Sequence, residues 1–100
     1  MYFTYTARHS KLFEAVVTLR QVLPVKDDLG SCWWNLGIAL DLSWAELHNI
    51  EDDYASNIQK AYNVLRMWYE KEATAATMGR LADALLAIGR KDIIERLIGM

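Results

Sequence analysis

The chain has 100 residues, 53% of them hydrophobic and 24% charged, which gives enough apolar surface for one folded core and little for a second. That balance excludes a disordered chain, and five Gly with one Pro are too few for a fold of many short strands. A net charge of −2 lacks the basic footprint of a nucleic-acid binder, and the lone Cys32 excludes a disulfide-stapled scaffold.

The apolar spacing is helical along most of the chain. The first helix is expected from about Ser10 to Leu23, where Leu12, Phe13, Val16, Val17, Leu19, Val22 and Leu23 form a broad stripe. Pro24 should end it, and Val25 to Gly30, with Lys26, Asp27 and Asp28, reads as a loop. The second helix starts near Ser31 and buries Trp33, Leu36, Gly37 and Leu40. Ser43 and Glu46 form a capping box that opens the third, with Leu47 and Ile50 inward. The run Glu51-Asp52-Asp53 should end that helix early, because carboxylates are unfavourable at a helix C-terminus.

The fourth helix gives the clearest pattern. Ser56 and Gln59 form a second capping box, and Ile58, Ala61, Tyr62, Leu65, Trp68 and Tyr69 share one face. Thr77 should cap the fifth, which runs to Ile88 with Gly89 as its left-handed stop. The sixth covers Asp92 to Ile98. Helices this short are marginal alone and must share a core, for which we expect Trp33, Leu36, Leu40, Leu47, Ile50, Leu65, Trp68, Leu85 and Ile94. The expectation is a single all-α domain over residues 1–100, an antiparallel bundle with 1–9 as a lead-in.

Five motifs in order resemble the death domain family. They are Trp33-Trp34-Asn35-Leu36-Gly37-Ile38-Ala39-Leu40, Leu47-His48-Asn49-Ile50-Glu51-Asp52-Asp53-Tyr54, Leu65-Arg66-Met67-Trp68, Leu81-Ala82-Asp83-Ala84-Leu85, and Ile88-Gly89-Arg90-Lys91-Asp92-Ile93-Ile94-Glu95. No one of them is specific; their order and spacing over about Leu29 to Ile98 are. The resemblance implies a six-helix Greek-key bundle, the death fold, that binds other death domains. Such domains sit in the receptor tails, adaptors, kinases and scaffolds of cell-death and innate-immune signalling, and they assemble through asymmetric surface pairs. It also implies a cytoplasmic setting, or the cytoplasmic tail of a larger receptor. The chain departs from the family at Trp34, Ile38 and Trp44, where relatives place polar or charged residues.

The residues offer little to catalysis. Glu46, Glu51, Asp52 and Asp53 read as a solvated helix end rather than a cleft with shifted pKa values. His48 and Glu51 are two potential ligands without a third, so no metal site is expected. Cys32 has no basic neighbour in sequence to activate it, and Gly30 and Gly37 fit no phosphate loop. Lys60, Arg66 and Lys71 are too sparse, among Glu70 and Glu72, to track a phosphate backbone. No enzyme activity, cofactor, small-molecule substrate, nucleic acid or membrane insertion by this segment is expected: no apolar run approaches ~18 residues, and MYFTYTARHSK lacks a signal peptide's pattern.

Three surface features remain as candidate protein-binding sites. The first is an acidic patch of Glu46, Glu51, Asp52 and Asp53. The second is a basic patch of Arg80, Arg90 and Lys91. Together they suit a heterologous contact that steers homotypic partners or self-assembly. The third is an apolar set, Trp34, Ile38 and Trp44. Here Trp34 and Ile38 lie off the core stripe and are either covered by a neighbouring helix or by Tyr2, Phe3 and Tyr5, or left open as an interface. The alternative function is an all-α domain of a sister death-fold family, or a helical domain that binds a ligand or nucleic acid.

Overall fold

The computed structural model describes residues 14–99. Among them the chain is helical, with α1 at Leu19–Val22, α2 at Val25–Leu29, α3 at Trp33–Ala39, α4 at Trp44–Asp53, α5 at Asn57–Glu72, α6 at Met78–Ala87 and α7 at Lys91–Ile98. Turns of 3₁₀ helix at Gly30–Cys32 and Ala73–Ala75 lead into α3 and out of α5. The expected second to sixth helices correspond to α3 to α7.

The first expected helix differs. Ser10 to Phe13, and with them Tyr2, Phe3 and Tyr5, lie outside the described residues. Among the described residues the chain is not one helix up to Leu23. Val16 bridges Thr77, and the Val17 N–H donates to Ala76 O at 2.8 Å. The Val16-Val17-Thr18 run is β-branched and extends readily. Thr18 then opens α1 afresh with its own capping box to Gln21. Nor does Pro24 stop the helical path. It precedes α2 in the αR region, where its missing N–H and fixed φ cost nothing. The expected loop is α2 because Val25 and Leu29, four apart, are both buried, while Lys26 and Asp27 stay on the outer side. The acidic run likewise does not cut α4 short. Ile50 is buried, Tyr54 is half-buried, and the Tyr54 N–H closes on Ile50 O, so the last turn forms with Glu51, Asp52 and Asp53 inside it.

The caps on the later helices match expectation. Ser43 with Glu46, and Ser56 with Gln59, close reciprocal capping boxes, and the Thr77 hydroxyl accepts from the Arg80 N–H. Gly89, at φ +78, ends α6 with two backbone bonds, Gly89 N–H to Leu86 O and Arg90 N–H to Leu85 O. The same pair of bonds ends α3, from the Asp41 N–H to Ile38 O and from the Leu42 N–H to Gly37 O, with Asp41 at φ +66 in the left-handed position.

All nine expected core residues fall in one buried cluster. Trp68 is fully buried on α5, whose Ala61, Val64 and Leu65 are buried beside it. The α5 helix packs against α2 and α3, α4 lies against its side, and α6 pairs with α7. Gly37 lets α3 approach α4: a Cβ there would collide with the Leu47 side chain. That close approach brings the outward residues of α3 and α4 together.

Candidate interaction surfaces

The α3–α4 corner carries an aromatic cluster. Trp33 points into the core, so Trp34, about 100° round the helix, points toward α4. There its ring meets Trp44 edge-on at 5.4 Å and His48 at 5.1 Å between centroids, with Trp33 at 5.6 Å on the other side. Trp44 and His48, four apart on α4, lie 5.8 Å from each other. Such edge-to-face pairs add ~0.5–1.5 kcal/mol beyond area burial. Trp34 is therefore half-buried, and within the described residues its cover comes from α4. Its cluster partner stays open, with Trp44 65% exposed and Ile38, one turn along α3, 41% exposed. Ile38 and Trp34 line a shallow groove of about 410 Å³ with Asn35, Ala39, Ala87 and Ile88.

The four residues of the acidic patch are divided between two flanks of α4. At about 100° per residue, Glu51 and Asp52 fall on the same flank as Trp44 and His48, while Glu46 and Asp53 turn to the other. Glu46 is also committed internally. Its carboxylate accepts from the Ser43 N–H at 2.8 Å and from Lys71 Nζ at 2.9 Å. The Ser43 backbone bond, and after it Lys71, hold its carboxyl below the usual glutamate range. Glu51 faces His48, Nδ1 to Oε1 3.5 Å. Asp52 and Asp53 are exposed and form no ion pair among the described residues.

The basic residues are spread along α3 rather than gathered. Arg80 holds its C-terminal end, where one guanidinium nitrogen donates to Ala39 O and to Asp41 Oδ2, both at 2.8 Å. This satisfies a terminal carbonyl and ties down the left-handed Asp41. Arg90 lies near the other end, beside Cys32, and ties α2 to α7, donating to Asp28 O at 3.0 Å and to the Asp92 carboxylate through two nitrogens at 3.0 Å each. The Arg90 bonds hold the Asp92 carboxyl below its ordinary range, and Asp92 in turn raises the guanidinium's. Lys91 is exposed, 3.9 Å from Glu95. The seven residues of α3 put roughly 10 Å between its two ends.

The fold also brings together pairs that the sequence hides. Cys32 is half-buried, and Arg90 Nη1, 58 positions away, lies 3.7 Å from its Sγ. The α5 cations are each engaged: Lys60 sits 5.4 Å over the Trp33 ring, Arg66 pairs with Glu70 at 2.9 Å, and Lys71 reaches Glu46. Asn63, the one buried polar residue among those described, donates to Gln59 O and accepts from Arg66. No group of three or more His, Cys, Asp or Glu side chains among the described residues could hold a metal ion. None of the described helices is long and apolar enough to cross a membrane. Sequence reasoning missed His48 as a member of the aromatic cluster, although its i+4 spacing from Trp44 signals it.

Comparison with known proteins agrees with this architecture. The death domain family model matches residues 17–100. A human protein, receptor-interacting serine/threonine-protein kinase 1, is 29% identical over 97 residues, covering 92% of this chain. The matched segment is 14% of that relative's length, so the chain spans a small fraction of the curated protein it resembles. No solved structure matches significantly. With the family model matched over most of its length on an all-α fold, the chain belongs to the death domain family and is an interaction domain of the death fold.

Proposed function

We propose that this chain is a non-enzymatic adaptor module that assembles with other death domains in cytoplasmic cell-death or innate-immune signalling, as a single domain or within a larger protein. One observation carries the reading beyond the family: Trp44 is 65% exposed next to Trp34 and Ile38, at positions the resemblance makes polar. An exposed tryptophan adds little to folding and risks aggregation, whereas at an interface it can contribute ~2 kcal/mol or more. Asp52 and Asp53, left without ion pairs among the described residues, supply the charge that steers encounter. The kinase activity in the relative's name is not transferred, since the chain spans 14% of that protein.

The test is calorimetric titration of the purified chain against a panel of purified death domains. The reading requires at least one partner, weakened when salt rises from about 50 to 300 mM, because exposed pairs are screened over roughly 10 Å at 0.1 M. Asp52→Lys with Asp53→Lys should weaken that partner while the melting temperature holds. A panel with no binder contradicts the assignment, and a binder indifferent to both salt and charge reversal contradicts the electrostatic component.

A further inference from the structure

The acidic and apolar surfaces, separate in the sequence, overlap in the fold. Trp44, His48, Glu51 and Asp52 stand at i, i+4, i+7 and i+8 on α4, and therefore share one flank. The stripe has an indole at the N-terminal end, an imidazole in the middle and two carboxylates at the C-terminal end, over roughly 12 Å at 1.5 Å per residue. Trp34 supports it from α3 at 5.4 Å from Trp44 and 5.1 Å from His48. Trp34 meets both rings edge-to-face, Trp44 and His48 are tilted at 38° to each other, and Trp44 is 65% exposed.

Surplus negative charge collects at the same place. Among the described residues, Arg66, Arg80, Arg90 and Arg96 pair with Glu70, Asp41, Asp92 and Asp28, and Lys71 pairs with Glu46. Glu51 has only His48 across from it, and Asp52 has no ion pair. Both carboxylates also lie in the last turn of α4, where the helix dipole opposes them, so an incoming cation is favoured twice.

We infer that the α4 stripe of Trp44, His48, Glu51 and Asp52 docks an arginine-bearing surface of a different protein. Guanidinium is the group that fits. It stacks flat on an indole face and at the same time forms a fork with a carboxylate, whereas an ammonium behaves as a compact, strongly hydrated point charge. The occupant is another chain rather than a second copy, because Arg66, Arg80, Arg90 and Arg96 are each already in an ion pair and Arg20 alone among the described arginines lacks one. The inference rests on the proposed role as an interaction module and names the chemistry of its partner.

The experiment is an NMR titration of the ¹⁵N-labelled 100-residue chain with a helical peptide carrying arginines at i, i+4 and i+8, and with its lysine twin. The arginine peptide should bind at least threefold more tightly and shift the Trp34 and Trp44 indole N–H signals and the amides of 48–52. Trp44→Ala should erase the preference for arginine. Glu51→Gln with Asp52→Asn should weaken both peptides at least tenfold. Equal affinity for the two peptides, or shifts centred elsewhere, overturns the inference. Sedimentation of the chain alone should be unaffected by Trp44→Ala; self-association that disappears in this variant makes a second copy the occupant and overturns it too. The two readings fail separately. A death domain that binds away from α4 refutes the stripe and leaves the module intact. A panel without binders refutes the module, while the peptide result stands for the stripe.

Discussion

Trp68 is the largest fully buried side chain among those described, and its indole N–H has no hydrogen-bond partner. The two facts act in opposite directions. Removing the ring leaves a cavity costing on the order of 3–5 kcal/mol, whereas an orphaned buried donor costs ~1–3 kcal/mol while it remains. Urea denaturation should therefore find Trp68→Ala strongly destabilised and Trp68→Phe within ~1 kcal/mol of the parent, since phenylalanine keeps most of the volume and discards the donor. If Trp68→Ala were as stable as the parent, the assignment of the α5 core face would be wrong. Ala73 presents strain of a different kind. It ends α5 at φ +51, ψ −114, a region suited to glycine, so Ala73→Gly should raise stability by about 1 kcal/mol despite glycine's larger unfolded-state entropy. A loss of stability in that variant would mean that the backbone relaxes where alanine now sits.

The helices differ in how openly the sequence declares them. For α4, α5 and α6 the signals are local: Ser43, Ser56 and Thr77 hydroxyls at N-caps, apolar residues on one face, and Gly89 past the end. Those elements and the nine core residues were legible because each is fixed by neighbours within four positions. The segment before α3 was not. Whether Val16 to Thr18 joins a helix or extends depends on Ala76 and Thr77, some sixty positions on, and α2 forms around two residues buried by packing against distant helices, chiefly α5 and also α7. The same holds for the candidate surfaces. Trp34 and Ile38 were visible as off-stripe residues, but Arg80 and Arg90 could be read as a patch only while their partners at Ala39, Asp41, Asp28 and Asp92 were unknown.

One of those caps makes stability depend on pH. The Glu46 carboxyl lies below its ordinary range because the ionised form accepts the Ser43 N–H and pairs with Lys71. Its contribution is complete above the unfolded pKa, about 4.3 for glutamate, and is lost as pH falls toward the folded value. Glu46→Gln keeps an acceptor for Ser43 but loses the pair with Lys71, so the variant should melt slightly lower at pH 7 and less steeply with acid between about pH 5 and 3. Melting curves that stay parallel to the parent's across that range would exclude Glu46 as a source of acid sensitivity.

For the whole molecule, the division of charge is the main functional consequence of the fold. The net charge of −2 is not spread evenly, because most cations of the described chain close internal pairs: Arg80 binds the C-terminal end of α3, Arg90 ties α2 to α7, Arg96 pairs with Asp28 on α2, and Lys71 holds α4 to α5. What remains outward is a tryptophan-rich corner on α3 and α4 that continues into Glu51, which faces His48, and Asp52, which has no ion pair among the described residues. A fold stabilised from within by its arginines, and presenting indole and carboxylate outward, is suited to the complementary half of an asymmetric contact.

The most direct test is the binding isotherm of Trp44→Ala against whichever purified death domain binds the parent chain, recorded beside a thermal melt of the same sample. Trp44 is 65% exposed, so its loss should shift the melt by only a few degrees. The account predicts that affinity falls tenfold or more, about 1.4 kcal/mol, while the fold persists. Unchanged affinity in a fully folded variant would contradict the claim that the α3–α4 corner is where this domain meets its partner.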